Sequence, residues 1–191
     1  MKETLRKEWV IAIYLLLMAW LAGCGASAGI TGNGDQDTDL IFDGINISSF
    51  SVTSENLHGG VWDTAITNTS NGNNLSPQLS WEPIKDAGCY VIYMIDTSAG
   101  NWIHWMSNNV SGTELPEGWA SADEYIGPYP PSGTHDYEIY IIALKNPVEG
   151  LKGKFDDSNP DIREDILSLD TLDGTEGNIV AYGHISGTYT K

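Results

Sequence analysis

The chain has 191 residues and a formal net charge of −17 at pH 7, because 26 acidic side chains outnumber 9 basic ones. A surface this acidic repels phosphate backbones and anionic headgroups at long range, so no nucleic-acid partner is expected. Apolar residues make up 41% of the chain, which is enough for a folded core.

Residues 1–23 resemble a bacterial lipoprotein signal peptide in the order of their basic, apolar and small residues. Three basic side chains within the first seven residues precede an apolar stretch at residues 10–20 that is too short to span a bilayer comfortably. The small residues directly before Cys24 resemble a lipobox, in which the cysteine is lipidated and becomes the mature N-terminus. This pattern favours lipidation over an ordinary secretory signal or an uncleaved anchor. We therefore expect an exported protein, lipid-anchored to a bacterial membrane at the cell surface or the periplasmic face.

Residues 24–39 are rich in small and polar side chains with almost nothing to bury, which predicts a flexible tether. Alternating aspartates in this segment resemble the start of a calcium loop. Leu40 stands where the glycine turn of that loop belongs, so a solvated linker is favoured. Residues 40–191 leave room for a single domain with its own core. Cys89 lies there without a partner, and no disulfide is expected.

The sequence pattern of the domain predicts mostly β-strands, because apolar or alternating runs are separated by clusters of turn-forming residues. The runs are residues 45–52, 90–95, 102–106, 137–144 and 179–189. One helix is expected after Asn159, which can cap it, because Pro160 fits the first turn and apolar residues recur at helical spacing. The pattern therefore predicts an all-β fold, a β-sandwich with minor short helices.

Strand alternation predicts three rows of side chains that each face one way. The rows are Ile92, Met94 and Asp96, then Trp102, His104 and Met106, then His135, Tyr137 and Ile139. Imidazoles titrate near neutral pH, so two histidines beside a carboxylate and exposed backbone amides suit a small anion. Taken alone, His104 is better interpreted as a core histidine whose nitrogens bond to the backbone. Acidic Asp156 and Asp157 are interpreted as a solvated surface.

Several motifs then occur in a fixed order. They are segments 74–81, 102–105, 127–133 and 183–189, together with Asp96, His135 and Tyr137. In this order they resemble the phosphatidylethanolamine-binding protein family, and the last segment resembles its bacterial, Raf-kinase-inhibitor-like branch. The resemblance covers about residues 47–191.

The resemblance implies an antiparallel β-sandwich with a small pocket for phosphate-like or carboxylate anions. The positions that match the pocket motifs are Asp96, Trp102, His104, Gly127, His135 and Tyr137. The two histidines would donate hydrogen bonds to the anion, while Asp96 would orient an imidazole and raise its basicity. Gly127 would let its backbone come close, and Tyr137 would supply a hydroxyl and an aromatic wall.

The chain also departs from the family pattern. Where the family commonly has Asp-Pro-Asp-Ala-Pro, this chain has Asp-Thr-Ser-Ala-Gly at residues 96–100, so Ser98 replaces the second aspartate. The rim is therefore expected to be less acidic and more mobile. Pro128 and Tyr129 replace small residues of the glycine loop, which should narrow the mouth of the pocket.

Three functions remain open, in this order. The first is a membrane-anchored binding protein for a small anionic ligand or a phospholipid headgroup. The second is an inhibitor or modulator of a protein partner, such as a kinase or a protease. The third is a hydrolase-like enzyme that uses Asp96, His104 and His135, although no nucleophile is identifiable beside a histidine. No cofactor is expected, and no metal either, because the spacing of these three residues matches no short metal motif.

Replacing Cys24 by serine should yield an unlipidated, mislocalised precursor, because the thiol is the group that receives the lipid. The domain from residue 40 onward should stay soluble and folded. Membrane fractionation with mass spectrometry of the N-terminus measures both outcomes. An unmodified Cys24 in the wild-type protein would contradict the lipobox interpretation.

Overall fold

The computed structural model describes residues 41–191. The predictions for the signal peptide, Cys24 and the tether concern residues 1–39 and lie outside the described part. Within residues 41–191, no helix is long and apolar enough to cross a membrane.

The described part contains nine strands and one short α-helix. The strands are β1 (Ser48–Thr53), β2 (Leu57–His58), β3 (Val61–Trp62), β4 (Leu79–Trp81), β5 (Cys89–Asp96), β6 (Trp102–Val110), β7 (Glu114–Leu115), β8 (Thr134–Leu144) and β9 (Ile179–Thr190). The helix α1 spans Ile162–Leu167 and begins just after the predicted cap and proline. Each of the five predicted runs overlaps an observed strand, so the mostly β prediction is confirmed.

The strands join in the order β6-β5-β8-β9-β1-β4-β7, and β3 also pairs with β9. Most neighbours are antiparallel, but β1 and β3 each run parallel to β9. The sheet is therefore mixed, which corrects the expectation of a purely antiparallel arrangement. Alternating side chains show which face of a strand is buried, but they carry no information on the direction of its neighbour.

The central strands β5 and β8 separate two hydrophobic clusters. Ile92 and Met94 belong to one cluster, whereas Val91 and Tyr93 belong to the other. All eight residues of β5 are buried. The sequence of a strand that is buried on both faces is a nearly continuous apolar run. Burial of each large aliphatic side chain stabilises the folded state by about 1.5–3 kcal/mol. This strand pair forms a rigid base, and Asp96 lies at its end opposite Tyr137.

Strand β6 contains a β-bulge at His104. Ile103 pairs with Ile95 and Trp105 pairs with Met94, so His104 is an extra residue in the ladder. Such an insertion bends a strand and redirects its side chains. Met106 consequently packs against the cluster on the opposite face from Trp105. The predicted row of Trp102, His104 and Met106 is therefore wrong beyond His104.

The first described residues are fixed to the domain. Ile41 and Phe42 are buried, and the Phe42 ring stacks on Tyr182 at a centroid distance of 4.0 Å. The Arg163 guanidinium of α1 donates hydrogen bonds to the carbonyl oxygens of Ile41 and Asp43. These contacts attach the start of the domain to the hydrophobic cluster that contains Val91 and Tyr93.

Cys89 should react slowly with maleimide in the native protein and rapidly after denaturation. The side chain is 6% exposed, and burial raises the pKa of its thiol, so the reactive thiolate is scarce. Peptide mass spectrometry after timed labelling measures the modification of Cys89 itself. Fast native labelling would show that β5 opens far more easily than its burial implies.

Candidate functional site

A cavity of about 640 Å³ lies where β5, β6 and β8 meet the loops that follow them. Five of the six predicted ligand-binding residues line it: Asp96, Trp102, His104, His135 and Tyr137. The other lining residues come from the segment after β5, from the loop at residues 129–131, and from Lys191 after β9. The strand pairing therefore brings together side chains that are up to 41 positions apart in the sequence.

Asp96 orients the ring of His135. Its carboxylate oxygen Oδ2 lies 2.6 Å from Nδ1 of His135, and Oδ1 accepts a hydrogen bond of 2.9 Å from the backbone amide of Ser98. Asp96 is only 3% exposed, and both of its oxygens are engaged. An ionised carboxylate at such a site needs partners of this kind, because burial without them is costly. The contact fixes Nδ1 of His135 as the nitrogen that faces Asp96.

His104 bonds to the backbone through the same ring nitrogen. Its Nδ1 lies 2.8 Å from the carbonyl oxygen of Ile126, and the amide of Ile126 donates in return to the carbonyl of His104. Burial lowers the pKa of His104, against the opposing effects of the Ile126 carbonyl and of the Asp96 charge. Its ring meets Tyr129 and Tyr137 edge-on at centroid distances of 5.5 and 5.4 Å.

The two histidines therefore share one chemical property. In each neutral ring Nδ1 carries the proton that is donated to oxygen, so Nε2 is an acceptor. Nε2 becomes a donor only when the ring is protonated. A ligand with acceptor oxygens therefore meets donor groups on His104 and His135 only in their imidazolium forms.

Tyr137 contributes a neutral hydroxyl. The side chain is fully buried, and its hydroxyl oxygen makes no hydrogen bond of standard geometry to the described residues. Burial, followed by the charge of Asp96, raises the pKa of this hydroxyl far above its ordinary value. It therefore keeps its proton across the physiological range. The nearby Asp96 carboxylate interacts with this hydroxyl outside standard hydrogen-bond geometry, and a buried hydroxyl so placed in a cavity wall is suited to a ligand or an ordered water.

Gly127 occupies a different position from the one expected. It does not line the cavity, and its amide donates a hydrogen bond of 2.7 Å to the side-chain oxygen of Asn74. A β-carbon on Gly127 would lie 2.0 Å from the carbonyl oxygen of Ile66. The glycine thus allows two backbone segments to pack closely and holds the loop that carries Ile126 against His104.

Asp156 is the site residue that sequence reasoning missed. One of its carboxylate oxygens accepts hydrogen bonds from the indole Nε1 of Trp102 at 3.1 Å and from the hydroxyl of Tyr129 at 2.7 Å. Asp156 is itself exposed, as the interpretation of an acidic surface predicts, and its half-buried neighbour Asp157 pairs with Lys154. Nothing local in the sequence distinguishes the two aspartates, because the partners of Asp156 lie 54 and 27 positions away.

The rim after β5 is attached to β8. The Ser98 hydroxyl accepts a hydrogen bond of 3.0 Å from the amide of Asp136 and lies 3.3 Å from its carboxylate. The Thr97 hydroxyl reaches the carbonyl oxygen of Asp136. The serine that replaces the family's second aspartate is therefore accompanied by a carboxylate from the neighbouring strand. In residues 41–191, no group of three His, Cys, Asp or Glu side chains is arranged to hold a metal ion.

Comparison with protein-family models gives a match to the phosphatidylethanolamine-binding protein family over residues 52–190. The chain belongs to this family. A UPF0098 protein of Archaeoglobus fulgidus is 31% identical in an alignment 144 residues long that covers 64% of this chain and 45% of the relative. A UPF0098 protein of Methanothermobacter thermautotrophicus is 27% identical over 144 residues, which are 87% of that relative. The chain thus spans less than half of the first relative and most of the second.

Two solved structures share the fold. YbcL of Escherichia coli, described as a new member of the mammalian family, superposes with a TM-score of 0.57 at 21% identity. A family homologue from Chlamydia trachomatis gives a TM-score of 0.55 at 24% identity. Each comparison covers 75% of this chain and 99% of the other. The architecture of the described domain is therefore that of the family.

Replacing Gly127 by alanine should destabilise the domain by about 1–3 kcal/mol, the usual range for overpacking. The added methyl group would overlap the Ile66 carbonyl, which is backbone and cannot rotate away. Gly150→Ala is the matched control, because a methyl group added there would meet nothing within 4 Å. Urea denaturation of both variants measures the difference. Equal midpoints would mean that the Gly127 segment relaxes without cost.

Proposed function

We propose that this protein is an exported, lipid-anchored binding protein whose cavity holds a small anion of the phosphate or carboxylate type. The observation that carries the proposal is the pairing of two histidines that both use Nδ1 for a protein oxygen. Each ring then has Nε2 left for a ligand, beside the buried hydroxyl of Tyr137. Membership of the phosphatidylethanolamine-binding protein family supports a binding role.

The charges around the cavity favour an anion once the histidines are protonated. Protonated His135 is neutralised by Asp96, with which it is in direct contact. Protonated His104 has no carboxylate in hydrogen-bonding contact among the described residues, and the basic residue Lys191 is among those that line the cavity. Asp156 opposes this positive charge, but its carboxylate already accepts two hydrogen bonds. A chain with a net charge of −17 repels anions at long range. Affinity for an anion must therefore come from the hydrogen-bond donors in the cavity wall.

A hydrolytic role has less support from the same geometry. Ser98 is the hydroxyl residue of the lining, and its hydroxyl is in contact with Asp136. Nucleophilic catalysis requires the hydroxyl to be bonded to a base that is itself oriented. The Asp96 and His135 pair is oriented, but no hydroxyl is hydrogen-bonded to His135 with standard geometry among the described residues, and the raised pKa of the nearby Tyr137 hydroxyl keeps it in its weakly nucleophilic, protonated form.

The membrane anchor would set the ligand that the cavity meets. A lipid on Cys24 and a tether of residues 24–39 would hold the domain close to a membrane surface, where phospholipid headgroups are concentrated. A headgroup phosphate and a free phosphate offer the same oxygens to the histidines. A phosphorylated or acidic side chain of a protein partner would do so as well, which is how a modulator would use the same cavity.

Replacing His104 or His135 by alanine should weaken anion binding by about 1.5–3 kcal/mol, the range for hydrogen bonds that involve a charged group. Calorimetric titration with inorganic phosphate, phosphoethanolamine and sulfate measures the loss. His58→Ala is the matched control, because His58 is exposed and bonds to Asp63 away from the cavity. A loss of equal size in the control would show that the effect is not local.

Anion affinity should also fall as the pH rises from mildly acidic to mildly basic values. Burial lowers the pKa of free His104, whereas a bound anion favours the charged ring and raises it. Affinity is therefore greatest below the pKa of the free protein and is lost as the pH rises through the pKa of the complex. Sulfate keeps its charge over this range, so its titration isolates the protein's protons. Sulfate affinity that does not change with pH would sink the proposal that imidazolium donors hold the anion.

A further inference from the structure

The carboxylate of Asp156 connects two parts of the cavity wall that belong to different segments. Trp102 begins β6, whereas Tyr129 lies in the loop before β8. A single oxygen of Asp156 accepts from both, at 3.1 Å from the indole nitrogen and 2.7 Å from the phenol. Hydrogen bonds to an ionised acceptor are stronger than those between neutral groups.

The backbone around Asp156 holds this carboxylate in place. Phe155 forms a parallel bridge with Ile103. The backbone amide of Asp156 donates a hydrogen bond of 3.0 Å to the carbonyl oxygen of Ile103, and the amide of Ile103 donates one of 3.1 Å to the backbone carbonyl oxygen of Asp157. Asp156 itself adopts a left-handed conformation with φ of 55°. A residue other than glycine occupies this region at a cost, and it persists where the surroundings determine the geometry.

Tyr129 packs against His104 in the cavity wall. Its ring meets the imidazole edge-on at 5.5 Å, and His104 is only 3% exposed although it lines the cavity. Burial and the hydrogen bond to Asp156 raise the pKa of the Tyr129 hydroxyl to about 12, so it remains a donor at physiological pH. The Tyr129 ring is therefore linked to the segment of residue 156 as well as to its own backbone.

We infer that Asp156 is a positioning residue that determines ligand size. It fixes Tyr129 and Trp102 as a rigid wall that shields His104, so that the cavity admits small anions and excludes bulky phosphate esters. The selection of ligands by size rests on the proposed function, whereas the shielding of His104 does not.

The shielding is tested by the rate at which diethyl pyrocarbonate acylates His104, followed by peptide mass spectrometry. The reagent attacks the unprotonated nitrogen, which is Nε2 because Nδ1 donates to Ile126. Asp156→Gly removes the carboxylate without strain at positive φ, and it should accelerate the modification roughly tenfold, the factor for one hydrogen bond to an ionised group. Asp156→Asn should give a rate between those of wild type and Asp156→Gly, because its amide oxygen can accept both hydrogen bonds but carries no charge.

Two further variants make the result specific. Tyr129→Phe removes one of the two bonds without changing the backbone, and it should also accelerate the modification of His104. Asp173→Gly is the matched control, because Asp173 is an exposed aspartate at φ of 50° outside the cavity, and it should leave the rate unchanged. The exposed His58 provides an internal standard in every sample. Equal His104 rates in wild type, Asp156→Gly and Tyr129→Phe would overturn the shielding role.

Ligand size is tested by calorimetric titration with inorganic phosphate and phenyl phosphate. The wild type should prefer inorganic phosphate, and Asp156→Gly should shift the ratio of the two affinities toward phenyl phosphate by roughly tenfold. An unchanged ratio, while His104 becomes accessible, would show that Asp156 shields without selecting and would overturn the role in size selection. If the wild type binds neither anion, the proposed function and size selection are both wrong, and the His104 rates alone then decide the shielding role.

Discussion

The antiparallel register between β5 and β8 is the constraint on which the site depends. It runs without a shift from the pair of Cys89 and Leu144 to the pair of Asp96 and Tyr137. A slip of one residue would turn a whole strand over, because side chains alternate between faces. Asp96 would then lose His135, and Tyr137 would leave the cavity. The two apolar clusters on either side of these strands make such a slip prohibitively costly, so the core fixes the chemistry at its edge.

The cavity also shows how burial acts differently on groups of opposite charge. The Asp96 carboxylate is buried but satisfied, since an imidazole and a backbone amide both bond to it. Burial disfavours the charged form of His104, whose hydrogen-bond partner is a neutral carbonyl. The anion that we propose as the ligand would bring the negative charge that stabilises protonated His104. Binding of such a ligand and proton uptake are then two aspects of one equilibrium.

Much of the site could be predicted from the sequence, and the rest depends on contacts that no local pattern encodes. Alternation in β5 and β8, together with the ordered family motifs, predicted Asp96, His135 and Tyr137 as neighbours. Every second side chain of a strand lies on the same face of the sheet, so paired strands bring such side chains together. The parallel pairing of β1 with β9 was not predictable in this way, since a strand's pattern is the same in either direction. The exposure of Asp156 was predicted, but its contacts with Trp102 and Tyr129 were not, because they depend on partners far away in the sequence.

The bulge at His104 makes the site sensitive to the length of β6 and not only to its composition. Its imidazole lies in the cavity wall at a point where β6 has one residue more than the facing part of β5. Removing the residue between Ile103 and Trp105 would make the ladder regular at this point, and the remaining side chains could keep most of their apolar contacts. The fold could therefore survive a deletion that abolishes the site. Related chains that have lost this one residue would be expected to retain the architecture while having a different occupant, or none, in the cavity.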